Sequence, residues 1–513
     1  MDKAKYFYVT TPIYYPSGNL HLGHAYTTTL ADILNRYKQS QGYETFFLTG
    51  SDEHGQKIEK KALEMGLAPL AYLDEKVELF KTLWTKLGIG YSKFIRTTDH
   101  EHTTTVKKIF TKLLDKGYIY PGFYEGLYCV SCEEFLNPDQ IDENGLCKVS
   151  HDAPQLVKEE TYFLKVSSFQ DFISELLSGE FILPVYRQNE MLKNFVDPGL
   201  KDLSITRVSF AWGIPISEDP KHVVYVWLDA LTNYLTALGY LQDDGQLFEK
   251  FWSNQSEIVQ LVGKEITRFH AIYWPTILKM LDLRMPDKLL SHGWIVNDGE
   301  KMSKSLGNVI DPIAYINQYG ADGLRFYLAY ELPINKDGNF SESMFIESFN
   351  AHLANNVGNL ISRVNNMISK YFDGYLGDDL TITSPLMNQK INQVIDDFQQ
   401  LMDEYDLSGA VRKVLDFSSF CNKYIEEQMP WVLAKEEKLD QLKVVLMDLQ
   451  KAMTTISYLL KPVLVFSYPL MVDQCGVSEP EVLSYRELKT YQNLKFKKLG
   501  EKKVLFERIK PVV

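Results

Sequence analysis

The sequence predicts an α/β chain: a parallel sheet made of alternating strands and helices, split by a small cysteine-bearing insert and followed by an α-helical bundle. Three observations predict it. Residues 1 to about 117 alternate short apolar runs with segments of helical period, the pattern of a parallel sheet with crossover helices. From about Gly117 to 225 that alternation breaks, and Cys129, Cys132, Cys147 and His151 fall together. From about residue 349 onward, helical periodicity takes over and few strand signals remain.

The first element is an apolar strand from Tyr6 to Val9. A loop broken by Pro16 and Gly18 follows, then a helix beginning near His21, with Leu30, Ile33 and Leu34 at helical spacing. A strand that enters a helix through a glycine-containing loop leaves unpaired N–H groups and the positive end of the helix dipole at the loop, which suits a phosphate. His21 and His24 lie one turn apart there and can donate to phosphate oxygens. Gly23 between them leaves room for a base or ribose against the backbone. Two histidines one turn apart are also common as ordinary surface or core residues.

Phe46 to Gly55 (FFLTGSDEHG) reads as a strand that ends in polar residues, the edge at which open α/β sheets bind ligands. Asp52 stands at that edge, where it could equally cap the helix starting near Gly55. In the insert, Cys129-x2-Cys132 followed by Cys147-x3-His151 is zinc-ligand spacing: the first pair forms a knuckle and the second completes a tetrahedron. Asp152 or a water is the alternative fourth ligand to His151. Val223 to Leu235 resumes the sheet domain, with Trp227, Ala230 and Tyr234 at helical spacing. Ile266, Phe269 and His270 follow on a later helix. Near residue 300 the chain reads SHGWIVNDGEKMSKSLGN, a polar loop carrying Lys301, Ser303, Lys304 and Ser305 between Gly299 and Gly307, suited to an anion whose charge changes during reaction. In the helical region Asn359 and Arg363 share a helix face, and Trp431 follows Pro430 at a helix start.

Bulk properties fit this layout. A chain of 513 residues suggests three or four units on a prior of about 150 residues each. The net charge of −13 and pI near 5.4 exclude wholesale coating of nucleic acid but allow a local basic patch. Such a patch exists from Arg486 to Lys510, where nine Lys or Arg face three Glu. No apolar run approaches the roughly 18 to 20 residues of a membrane span, and the first strand starts too early to leave room for a cleavable leader. Five cysteines, three of them clustered, point to a reducing compartment and metal binding over a disulfide framework.

Six segments carry a resemblance: TPIYYPSGNLHLGHAYTTTLADILNRY, LTGSDEHGQKI, VYVWLDALTNYL, LVGKEITRFHAIYWP, HGWIVNDGEKMSKSLGN and NNVGNLISR, in that order. The chain resembles the class I aminoacyl-tRNA synthetases, and among them the methionine-specific branch. The resemblance implies a Rossmann-type parallel-sheet catalytic domain in two halves, 1–117 and 226–297. A connective insert with a zinc knuckle is expected at 118–225, a lysine-loop and stem-contact region at 298–348, and an anticodon-binding α-helical bundle at 349–513. It implies an ATP-dependent ligase whose ATP is held by His21, Gly23 and His24, with Lys301 and Lys304 assisting as pyrophosphate leaves. Asp52 would pair with the substrate ammonium. Ile13, Tyr15, Trp227, Ala230, Tyr234, Ile266, Phe269 and His270 would line the methionine pocket, and Asn359, Arg363 and Trp431 would read the CAU anticodon of tRNA(Met). Mg2+ with the triphosphate, a structural Zn2+, a monomer and a cytoplasmic location complete the expectation. The leucine, isoleucine and valine enzymes carry much larger inserts, and the cysteine enzyme places its metal in the amino-acid pocket. A non-catalytic tRNA-binding paralogue would be free to lose His21, His24 and Lys304.

Overall fold

In a computed structural model of the chain, residues 6–130, 134–136, 140–225, 227–297, 299–301, 309–377, 381–478, 484–491 and 494–510 are described. The chain begins with β1 (Tyr6–Tyr14) and α1 (Leu22–Ser40) and divides into two compact units. The first comprises residues 1–20, 45–82 and 91–292, the second 21–44, 83–90 and 293–513.

The first unit is built on a six-stranded sheet. Its strands are β1, β2 (Glu44–Ser51), β3 (Lys93–Arg96), β4 (Ile182–Leu183), β5 (Ser256–Gly263) and β6 (Lys288–His292), in the order β3-β2-β1-β5-β6-β4. The pairs β1 with β5, β5 with β6, β6 with β4 and β2 with β3 are all parallel. From β1 the chain builds β2 and β3 on one side and later β5 and β6 on the other, with β4 at the far edge, so the order reverses between β1 and β5. In such sheets the crevice at the carboxyl ends of the two central strands is the usual ligand site. Both strands are buried along most of their length, Phe7, Tyr8 and Val9 on one and Ile258 to Val262 on the other, a run that is apolar except for Gln260, as expected of a parallel sheet covered on both faces. α2 (Trp227–Thr236) packs into the same core, which includes Tyr8, Phe46, Phe110, Trp252 and Trp274.

The insert departs from this pattern by forming an antiparallel sheet. Ile119–Cys129 pairs with Gln155–Leu164 over ten residues, flanked by Glu134–Leu136 and Leu203–Ser204.

The second unit holds α1, a three-stranded sheet (Ile295–Asn297, Glu300–Lys301 and Gly338–Phe340) and the helices α3 (Ala321–Tyr330), α4 (Asn359–Phe372), α5 (Pro385–Asp403), α6 (Leu407–Gln428) and α7 (Leu439–Leu460). Sequence order alone does not reveal that α1 belongs here. A buried ion pair is among the ties that hold it there: Arg325 on α3 donates to Asp32 Oδ2 at 2.7 Å, and both side chains are fully buried. Arg325 also donates to the carbonyls of Leu87, Pro462 and Val463, while Asp32 accepts from Gly90 N and Arg36 Nε. Burial lowers the guanidinium's proton affinity and the Asp32 carboxylate opposes that. A charge removed from water this completely persists only when its hydrogen-bonding capacity is met, and here the neighbouring carbonyls meet it. Among the described residues no helix is long and apolar enough to cross a membrane.

Candidate functional site

At the start of α1 the two histidines cap the helix and each other. His21 Nδ1 accepts from Gly23 N at 3.1 Å, and His24 Nδ1 accepts from His21 N at 3.0 Å. The rings lie 4.0 Å apart. Accepting through Nδ1 places the ring hydrogen of each neutral imidazole on Nε2, a donor, so the caps set the tautomer a phosphate oxygen requires. Glycine at 23 has a local reason as well, since a Cβ there would stand 2.9 Å from His21 Cε1. Leu22 N donates to Ile310 O at 3.3 Å, so the chain just beyond the lysine loop meets this helix start. Lys304, Ser303 and Ser305 lie outside the described residues, as does the side chain of Lys301, whose backbone ends the strand Glu300–Lys301.

In the first unit, β2 delivers Asp52 to the sheet edge, half-buried, with its N–H donating to Tyr14 O at 3.0 Å. The neighbouring acid, Glu53, is buried and pinned: Arg96 Nε donates to it at 2.7 Å, and Thr98 and Ser51 donate through their hydroxyls. His54 Nδ1 meets Asp229 Oδ2 on α2 at 2.7 Å, and Asp229 Oδ1 meets His102 Nε2 at 2.7 Å. His102 Nδ1 in turn meets Thr236 Oγ1 at 2.8 Å. Burial pushes the Asp229 carboxyl up, but the two imidazoles outweigh it and hold it at about 2. This network ties the loop bearing Asp52 to the helix bearing Trp227 and Ala230. Sequence reasoning passed over Glu53, His54, Arg96, His102 and Asp229. The His–Asp pairs span 175 and 127 residues, and the only local signal was charged residues inside apolar runs.

Several of the aromatic residues of the two helical segments around Trp227 and Phe269 pack against one another. Trp227 stacks on Phe269 with centroids 3.4 Å apart and planes 11° apart. Tyr234 and His270 Nε2 are 2.7 Å apart, and His270 Nδ1 lies 3.0 Å from Ile266 O. Because a carbonyl only accepts, Nδ1 carries the hydrogen and Nε2 receives the Tyr234 hydroxyl. Burial lowers the His270 imidazole to about 4, partly offset by the Ile266 carbonyl, so the ring is neutral near pH 7. Tyr8 donates to Tyr234 O at 2.9 Å, locking the same helix to β1. Ile13, Trp227 and Ile266 pack half-buried against the main core, and Ala230 is buried. Tyr15 packs on a separate small cluster of Ile58, Ala62, Tyr72 and Leu73.

In the insert, Cys129 and Cys147 are fully buried in one small cluster with Leu136 and Ile141. Cys147 N donates to Asp152 O and His151 N to Cys147 O, so the 147–152 loop closes on itself. His151 is exposed, with its backbone in the left-handed region at φ 61°. Cys132 lies outside the described residues. Among the described residues no three His, Cys, Asp or Glu form a group able to hold a metal. Two thiols buried in one small cluster nevertheless suit part of a tetrahedral thiolate set.

On the second unit, Asn359 and Arg363 project from α4 toward α6, where Asn359 Nδ2 lies 3.5 Å from Asn422 Oδ1 and Arg363 pairs with Glu426. α6 ends at Met429, in the left-handed region at φ 43°, and Pro430 begins the next helix. Trp431 follows, 42% exposed.

A doubly wound sheet, a histidine-capped helix after its first strand and a helical bundle displaying an exposed tryptophan define the class I tRNA synthetase scaffold. The family described as tRNA synthetases class I (M) matches residues 7–147 and 142–365, and the anticodon-binding domain of tRNA ligase matches 386–472. A methionine–tRNA ligase from Ureaplasma parvum is 46% identical over 520 residues, covering 99% of both chains. One from Listeria innocua is 46% identical over 96% of this chain and 76% of its own. The Mycobacterium tuberculosis methionyl-tRNA synthetase in complex with methionyl-adenylate superposes with a TM-score of 0.91 at 32% identity, covering 98% of this chain and 100% of that one. The chain belongs to the methionine–tRNA ligase family.

Proposed function

We propose that this chain activates L-methionine with ATP to methionyl-adenylate and pyrophosphate, then transfers methionine to the 3′ end of tRNA(Met), read by its CAU anticodon. The observation that carries the proposal is the meeting of two segments nearly 300 positions apart: the histidine-capped start of α1 and the chain leaving the lysine loop, joined by the Leu22 to Ile310 hydrogen bond. A helix start with two Nε2–H donors is suited to a triphosphate, and the two lysines that precede Ile310 in sequence are suited to the charge that grows as pyrophosphate departs.

The chemistry needs no side-chain nucleophile. The methionine carboxylate attacks the α-phosphorus and pyrophosphate leaves. A ribose hydroxyl of the terminal tRNA nucleotide then attacks the carbonyl of the mixed anhydride, releasing AMP. Each step joins reactants that are already competent, so positioning and charge stabilisation are the protein's tasks. In this reading His21, Gly23 and His24 hold the nucleotide, Lys304 neutralises the leaving pyrophosphate and Lys301 assists. Asp52 binds the ammonium. Ile13, Tyr15, Trp227, Ala230, Tyr234, Ile266, Phe269 and His270 enclose the thioether, a flexible, polarizable group that suits an aromatic lining. Asn359, Arg363 and Trp431 read the anticodon by hydrogen bonds and stacking, as RNA readers do on unpaired loops.

Mg2+ would accompany the triphosphate. Cys129, Cys132 and Cys147 would hold Zn2+, which on binding supplies cross-linking of the insert and takes no part in the reaction. The exposure of His151 makes it the weakest candidate for fourth ligand. The resemblance further implies a monomer working in the cytoplasm.

The test is amino-acid-dependent exchange of pyrophosphate into ATP with a panel of amino acids. Methionine alone should support it efficiently, and exchange driven by another amino acid would overturn the reading. Lys304→Ala should slow adenylate formation by about 100-fold while leaving methionine affinity nearly unchanged, because its charge acts only as the leaving group develops. An unchanged pre-steady-state rate would remove Lys304 from that role.

A further inference from the structure

The segment that leaves the insert, Arg207 to Gly213, meets the loop that carries Asp52, and one residue makes the junction. Trp212 grips the backbone of that loop on both sides of His54. Its indole Nε1–H donates to the Glu53 carbonyl at 2.7 Å, and its own carbonyl accepts from Gly55 N at 3.0 Å. The indole lies 5.7 Å from the His54 ring, which Asp229 holds through Nδ1. Backbone between a strand and a helix has no ladder to satisfy it, and here a side chain 159 positions away supplies the missing donor.

The neighbourhood of this junction belongs to the amino-acid site. Trp212 and Tyr15 pack against the same small cluster of Ile58, Ala62, Tyr72 and Leu73, so the chain just after β1, the helix Gln56–Glu64 and the exit of the insert share one apolar contact. Gly55 precedes that helix at φ 119°, a conformation that favours glycine, so the turn out of the Asp52 loop has little stiffness of its own. Upstream the loop is fixed by Asp52 N, which donates to Tyr14 O, and by Glu53 N, which donates to Thr97 Oγ1 at 2.9 Å. Downstream it is fixed by Trp212. The segment bearing Trp212 is anchored at its other end as well, where Val208 N and Ser209 N both donate to the buried carboxylate of Glu159 on the strand Gln155–Leu164.

We propose that Trp212 is a positioning residue for amino-acid binding: by clamping the backbone from Glu53 to Gly55 it sets where the Asp52 carboxylate stands, and so how well the substrate ammonium is held. A carboxylate carried on a loop is only as well placed as the backbone on either side of it, and an ammonium site depends on that placement. The Nε1–H bond fixes the loop, and the apolar contact shared with Tyr15 fixes Trp212. The proposal rests on the reading of Asp52 as the partner of the ammonium.

The experiment measures equilibrium binding of two methionine analogues to the full chain by titration calorimetry, with methionine-dependent exchange in parallel. Methioninol keeps the ammonium and lacks the carboxylate, whereas desaminomethionine keeps the carboxylate and lacks the ammonium. Trp212→Phe removes the Nε1–H donor and retains an apolar ring. It should raise the Kd of methioninol and the KM for methionine roughly fivefold, as loss of one hydrogen bond predicts, while kcat, the KM for ATP and the Kd of desaminomethionine stay within about twofold. Asp52→Asn, alone and combined with Trp212→Phe, completes a cycle: the double variant should bind methioninol no worse than Asp52→Asn does, because Trp212 acts through that carboxylate. Additive losses overturn the proposal, as does an unchanged Kd for methioninol in Trp212→Phe. An equal rise for both analogues also overturns it, since Trp212 would then be a general brace of the pocket. An Asp52→Asn chain that binds methioninol as tightly as the unaltered one would instead sink the reading of Asp52 itself.

Discussion

The proposed amino-acid pocket in the first unit and the proposed RNA-reading surface in the second use aromatic and hydrogen-bonding residues in opposite ways. Tyr234, Phe269 and His270 are buried, and a chain of bonds from Tyr234 through His270 to the Ile266 carbonyl fixes their orientation before any ligand arrives. Trp431 is 42% exposed, and among the described residues Arg363 pairs with the exposed carboxylate of Glu426. A small apolar side chain offers little binding energy to spend on ordering a site, so its pocket must be preformed. An anticodon loop brings several bases and phosphates, and can displace a weak surface ion pair. If this contrast is right, pocket variants should change stability and amino-acid affinity together, and surface variants should change tRNA affinity alone.

The largest break should come from Asp229→Ala. The substitution leaves His54 and His102 without the carboxylate they share, and both imidazoles sit in the interior. Removing one partner of a buried charge network typically costs about 3–5 kcal/mol. Urea unfolding should register that loss, and methionine-dependent exchange should fall with it, since the network ties the Asp52 loop to α2. Asp229→Asn keeps the shape and should cost clearly less. Equal midpoints for Asp229→Ala and the unaltered chain would mean that the network braces nothing.

A smaller, pH-dependent break is built into His270. Its ordinary value is 6.5 and the folded value is about 4, because burial disfavours the charged ring. Below pH 6.5 the unfolded chain takes up a proton that the folded chain refuses. The stability contribution is therefore complete above about pH 6.5, declines as pH falls toward 4, and is flat below, amounting to about 3 kcal/mol. Asp229, held at about 2 against an ordinary 3.8, loses its contribution mainly below pH 4 and so adds little in this window. A His270→Gln chain should show a shallower loss of urea midpoint between pH 6.5 and 4 than the unaltered chain. Parallel curves would show that His270 does not carry the difference.

These two cases also mark what the sequence made legible. Trp227, Tyr234, Phe269 and His270 could be placed because each lies within a short segment of helical period. The exposed Trp431 was signalled by the Pro430 before it. Asp229, His54 and His102 were invisible because their contacts span more than a hundred residues and neither the apolar period nor the spacing encodes them. The grouping of α1 with the C-terminal unit was hidden for the same reason, resting in part on Asp32 and Arg325 across 293 positions. Gly23 was legible only in part: its openness to a ligand follows from sequence, but its fit beneath the His21 ring needs coordinates.

The smallest effect separates the two regions most cleanly. Trp431 lies on the first turn of a six-residue helix, Pro430–Lys435, and is 42% exposed. Truncation to alanine should therefore leave the urea midpoint within about 0.5 kcal/mol of the original, as for most surface substitutions. Loss of one stacking ring against an unpaired base costs about 1–3 kcal/mol, so the KM for tRNA should rise roughly 5- to 150-fold. Exchange depends only on methionine and ATP and should be unchanged. Arg363→Ala should behave alike, with part of its cost offset because the unbound protein no longer has to break the pair with Glu426. If Trp431→Ala lowers exchange and charging equally, the tryptophan is a folding anchor, and the contrast between a preformed pocket and an adaptable RNA surface fails at the point where it is easiest to measure.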